Sequence, residues 1–216
     1  MSRDLLWIGF LAVVYVIIKY KPDWFNQVVI AVTGKAIGKA ALDKQPDHLT
    51  LQPETGPASR PEARSAIDSL QRRGFVPGGS YSIAEMGNLP VHFLLKQDEG
   101  AVAVVYEHPK VGAWCDIACR FQDGTTFTIT NAKMGGGLEP RPGHTTARVP
   151  GLTPTALHLR YSRERPAGQP RLVSPADVAT VFADAYAEEM AWRKDRGVSR
   201  TEVRAVSREG AGRSAA

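Results

Sequence analysis

The stretch 113–130, AWCDIACRFQDGTTFTIT, decides how the middle of the chain folds, because two runs of alternating polarity flank Gln122, Asp123 and Gly124. Such alternation marks a strand with one buried face. A short connection ending in glycine suits a three-residue hairpin loop with a left-handed last residue. Two registers compete. A two-residue loop of Asp123 and Gly124 sets Arg120 against Phe127 and Ala118 against Ile129, which mixes polar and apolar side chains on both faces. A three-residue loop sets Cys119 against Phe127 and Ile117 against Ile129, and only this register makes one apolar face. The expected interior therefore holds Cys115, Ile117, Cys119 and Phe121. The expected outer face holds Trp114, Asp116 and Arg120 beside Thr126, Thr128 and Thr130.

The period of two extends backwards from this hairpin. Strands are expected near 80–85, 91–97, 101–108, 113–121 and 125–130, with a second glycine-ended turn at Asp98, Glu99 and Gly100. Upstream, Ser59, Pro61 and Glu62 have the spacing of an N-cap, a first-turn proline and an N3 acid, so a helix is expected from there to Gly74. Downstream, 132–154 is irregular, with glycines at 135, 136 and 137 and prolines at 140, 142, 150 and 154. In 155–161 the alternation of Leu157, Leu159 and Tyr161 reads as strand while Thr153-Pro154 reads as a helix start, and the two stay open. Ser174, Pro175 and Asp177 introduce a helix whose apolar face is Val178, Val181, Phe182, Ala185 and Tyr186, stopped by Gly197. Ser199 and Glu202 begin a short further helix. The predicted class is α+β: an antiparallel meander of four or five strands between a leading helix and a carboxyl-terminal helix.

Ahead of this domain the run 5–20, LLWIGFLAVVYVIIKY, carries no charge before Lys19. As a helix it spans roughly 24 Å, short of a hydrocarbon core of about 30 Å yet flanked by Trp7, Tyr20 and Trp24, the side chains favoured at a membrane boundary. Lys19, Tyr20, Lys21 and Pro22 follow it where a signal peptide would place small residues. A single-pass anchor is the expectation. Lys19, Lys21, Lys35, Lys39 and Lys44 on one side against Arg3 on the other put the domain in the cytoplasm. The expected layout is a transmembrane anchor at 1–24, an amphipathic juxtamembrane segment at 25–42, a proline-rich linker at 43–60, the α+β domain at 61–209 and a disordered tail at 210–216. Whether 25–42 lies on lipid or on the domain is open.

Charge limits the partners. The excess of five positive charges sits at the two ends, since 61–150 balances nine basic against nine acidic residues. No dense basic stripe argues for nucleic acid, and a mild basic bias near an anchor fits anionic lipid. Cys115 and Cys119 have neither zinc nor redox spacing, and on one strand they lie about 13 Å apart, too far to bridge. None of His48, His92, His108, His144 and His158 is spaced as a ligand pair, so no metal and no cofactor is expected.

His144 is the histidine displayed in the glycine- and proline-rich loop, with Arg141 beside it and Cys115 as a conceivable nucleophile. Asp116, the remaining member of such a triad, should face away from Cys115. Trp114, Arg120, Trp192 and Arg193 are the candidates for an interaction surface, as residues favoured at hot spots. The expected function is a non-enzymatic interaction or scaffold module with a protein partner. The competing class is a membrane-bound hydrolase or transferase using the loop 134–146. A pocket joining His144, Arg141 and a carboxylate favours the second, and a flat exposed aromatic patch favours the first.

Overall fold

The computed structural model of the protein describes residues 38–40, 42–133, 138–199, 201–203 and 205. The fold is α+β, built on a mixed seven-stranded sheet whose strands lie side by side in chain order. They are β1 (Leu51–Pro53), β2 (Val76–Ile83), β3 (Leu89–Lys96), β4 (Ala101–His108), β5 (Gly112–Arg120), β6 (Thr126–Thr130) and β7 (His144–Arg148). Neighbours from β1 to β6 are antiparallel, and β7 runs parallel to β6. Three long helices complete it: α1 (Pro61–Gln71), α2 (Pro154–Glu164) and α3 (Val178–Arg196).

The hairpin between β5 and β6 adopts the three-residue register, pairing Cys119 with Phe127 and Ile117 with Ile129. Gly124 supplies the left-handed residue, at φ 86°, and its N–H donates to the Phe121 carbonyl at 3.0 Å. Cys115, Ile117, Cys119 and Phe121 are all buried, packed with Ala63, Ala66 and Leu70 of α1 and with Leu157 and Tyr161 of α2. The turn ending in Gly100 is likewise left-handed, at φ 59°.

Several expectations are corrected. The sheet has seven strands and not four or five, and it is mixed, because the loop downstream of β6 returns as β7. The face of Trp114, Asp116 and Arg120 is half-buried and not open to solvent along its length. Val178, Phe182 and Tyr186 of α3 pack there against Phe93, Val104 and their neighbours, so the sheet is covered on both sides. The ambiguous 155–161 lies inside α2, capped by Thr153, whose hydroxyl accepts from the Ala156 N–H at 3.3 Å. The segment 43–60 is no free linker. It carries the edge strand β1, buries Leu49 and Ala58, and gives the Pro46 carbonyl to Tyr186. A proline is tolerated in β1 because an edge strand can leave one side of its backbone unpaired.

Ser59 does not cap α1. Arg60 takes that position without a side-chain bond, while the Ser59 hydroxyl donates at 2.6 Å to Glu107, a buried carboxylate on β4. That carboxylate also accepts from the backbone N–H groups of Ser59 and Arg60, at 3.0 and 2.7 Å, and so offsets the positive end of the helix from the sheet face on which α1 packs. At the other end of the domain the box of Ser199 and Glu202 forms as the spacing predicts, with reciprocal bonds at 2.7 and 3.2 Å.

The apolar run 5–20 and the tail 210–216 lie outside the described residues, as does most of 25–42. Among the described residues no helix is long and apolar enough to cross a membrane. Where 25–42 comes into the structure, at Gly38, it packs on the domain. A Cβ there would stand 2.9 Å from Val198 Cβ, closer than side chains approach, so glycine is what allows the contact.

Candidate functional site

Between the second face of the sheet and α3 lies a pocket of about 260 Å³. Its floor is Val102 and Val104 of β4 and Ala118 of β5, and its roof is Val181, Phe182 and Ala185 of α3. Strand alternation produces the floor: these residues point opposite to Ala103, Val105 and Cys119, which fill the core under α1 and α2.

The rim is polar. Arg120 ends β5, His144 begins β7, Arg141 precedes it, and Glu188 comes down from α3. Arg141 donates Nε to His144 Nε2 at 2.8 Å and an Nη to Glu188 Oε2 at 3.0 Å. Arg120 reaches the same carboxylate at 3.3 Å. His144 Nδ1 lies 2.7 Å from the Thr126 hydroxyl, a contact set by the β6–β7 register, which puts these two residues opposite each other.

These contacts fix the chemistry of the rim. Arginine has only donors, so His144 Nε2 must be the acceptor and Nδ1 must carry the proton. His144 therefore donates to Thr126 and cannot take its proton. Partial burial and the adjacent Arg141 charge both hold the imidazole below its ordinary pKa, in the neutral form. Glu188 is held below the usual carboxylate range by the bond from Arg141, with Arg120 adding to it. Neither group is a free base.

Deeper in the wall sits Asp116, half-buried, with its Oδ1 inaccessible and lacking any hydrogen-bond partner among the described residues. Burial raises its pKa to about 6, against the bonds from Thr130 and Tyr106 that pull it down. Thr130 faces it across the β5–β6 pair.

The candidates from the sequence divide. His144, Arg141 and Arg120 meet at one rim. Cys115 is on the opposite face of the sheet, wholly buried, its thiol pushed well up by desolvation, so no triad of Cys115, His144 and Asp116 exists. Both cysteines are free thiols. Trp114 is stacked on Tyr106 with ring centroids 4.6 Å apart. Trp192 lies under the guanidinium groups of Arg193 and Arg196 at 5.7 and 5.1 Å, and Arg193 is paired with Glu189. No flat, free aromatic patch results from these residues. Among the described residues no cluster of His, Cys, Asp and Glu could hold a metal ion. Glu188 escaped the sequence reading, since only the packing of α3 brings it to His144.

A second polar chain lies on the other side of the sheet. Ser80 Oγ, His92 and Glu107 follow one another at 2.8 and 2.7 Å across β2, β3 and β4. The order resembles a hydrolase relay, but Glu107 is committed to the start of α1. The chain of bonds ties β2, β3 and β4 to the start of α1.

No protein-family model, curated protein or solved structure matches this chain.

Proposed function

We propose that the chain is a membrane-tethered, non-enzymatic binding module. In this reading the run 5–20 spans the bilayer, the α+β domain lies on its cytoplasmic side, and the pocket beneath α3 takes a small, largely apolar ligand. The pocket carries the reading: an apolar cleft with a few converging polar groups at its rim is the usual form of a small-molecule site. The stacking and pairing of Trp114, Arg120, Trp192 and Arg193 within the fold favours this pocket over a separate protein-docking patch.

One observation favours a second reading, a membrane-bound hydrolase or transferase: His144, Arg141 and a carboxylate do come together. The tautomer weighs against it, because Arg141 holds His144 as a donor to Thr126 and leaves no base to activate a nucleophile.

Two measurements test the proposal. Alkaline carbonate should leave the full-length chain in the membrane pellet, and release into the supernatant would sink the tether. In lipid nanodiscs, millimolar indole or p-cresol should raise the unfolding midpoint by a few degrees, as any ligand of the native state does. Ala118→Phe, which fills the floor, should abolish that rise. If neither compound moves the wild-type midpoint, the pocket is not a binding site.

A further inference from the structure

We infer that the pocket's ligand is an apolar carboxylic acid with a single chain of about eight carbons, its head between Arg120 and Arg141 and its hydrocarbon under α3. The inference rests on the binding-module reading and adds the chemical class.

Charge at the rim sets the head group. Arg120, Arg141 and Arg171 line the pocket against Asp116, Glu188 and Glu189, with Asp116 set deeper in the wall and bonded by Thr130 and Tyr106. Glu189 is already paired with Arg193 at 2.7 Å. Among the described residues Glu188 is thus the one carboxylate shared by Arg120 and Arg141. Two guanidinium groups on a single carboxylate keep donors to spare, since each has five N–H groups and Arg141 directs only Nε to His144 and one Nη to Glu188. A planar carboxylate is the group that such a fork binds in pairs of parallel bonds. His144, held neutral, adds neither attraction nor repulsion for a charge there.

The body follows from the floor and the volume. Val102, Val104, Ala118, Val181 and Phe182 offer no hydrogen bond, so the part of the ligand they enclose is hydrocarbon. A cavity of roughly 150 Å³ holds a benzene ring. On that scale the 260 Å³ here takes on the order of ten non-hydrogen atoms, the size of octanoate.

The test titrates octanoate, 1-octanol and octylammonium into full-length protein in nanodiscs, with empty nanodiscs and Ala118→Phe protein as blanks for partition into lipid. Octanoate should bind at least tenfold more tightly than 1-octanol, and octylammonium most weakly. Raising the salt concentration should weaken octanoate alone. Arg141→Met should bring octanoate down to the affinity of octanol and leave octanol unchanged. Arg120→Gln, which spares the His144 contact, gives the same comparison should Arg141→Met fold poorly. Equal binding of octanoate and octanol, or tighter binding of octylammonium, overturns the acid and leaves the pocket reading standing. Absence of binding by all three overturns both.

Discussion

Glu107→Ala should destabilise the domain by about 3–5 kcal/mol, the range for removing one partner of a buried polar pair, and lower the thermal midpoint by on the order of 10 °C. The reason is the number of groups left unpaired. Glu107 accepts from the Ser59 hydroxyl, from two backbone N–H groups at the start of α1 and is bonded to His92, itself nearly inaccessible. Alanine leaves all four without an acceptor. Glu107→Gln preserves the shape and should cost about 1–3 kcal/mol, since its amide meets groups that need an oxygen.

The pH dependence has a definite sign. Burial alone would raise the pKa of Glu107, but the bonds from Ser59, His92 and Arg60 outweigh it and the net shift is downward. A depressed carboxylate contributes stability that is present above its unfolded pKa and is lost as pH falls through the lower folded value. The gap between wild type and Glu107→Ala should thus be full at pH 7 and shrink in acid, below about pH 4. A loss under about 1 kcal/mol at neutral pH would show that the network does not hold α1 to the sheet.

Asp116→Asn should act in the opposite direction. Asp116 is raised from 3.8 to about 6, so the native state holds a proton more tightly than the unfolded chain between those values. Its burial costs nothing when both states are protonated, grows between about pH 4 and 6, and is complete above that. At pH 8, removing the charge should stabilise the fold by on the order of 2 kcal/mol, after allowing for the unpaired amide nitrogen that replaces Oδ1. At pH 4 the advantage should vanish. Denaturant unfolding of both proteins at the two pH values decides it, and equal stability at pH 8 would mean that Asp116 is hydrated in the native state.

The contrast between these two carboxylates shows where the sequence was informative. Period-two alternation identified the inner face of β5 and β6 and even the register at Gln122 to Gly124, because a slip of one residue would expose Ile117 and Ile129. The same alternation left the status of the other face open. Whether Asp116 meets water or a helix depends on α3, and no local pattern announces that α3 folds back across β4 and β5. β1 was hidden by Pro53 and by its neighbouring prolines, and β7, with the sequence HTTAR, has no apolar alternation to betray it. The rim suffered for the same reason. His144 and Arg141 were visible because they are close in sequence, but Glu188 lies 47 residues from Arg141 and is joined to it only by tertiary packing.

The packing of Gly38 on Val198 and Val203 brings the two ends of the described chain together. Lys194, bonded to the Gln45 carbonyl, spans 149 residues in the same region. The antiparallel pairs from β2 to β6, by contrast, are joined by short turns, so their contacts close short loops and form early. The end-to-end clasp closes the longest loop and waits for everything between its halves. It is therefore a late and local unit of the fold, able to open while the sheet stays intact. Such opening changes how far Gly38 stands from the sheet: clasped, it is held beside Val198, and unclasped, only the chain between Gly38 and β1 limits the separation.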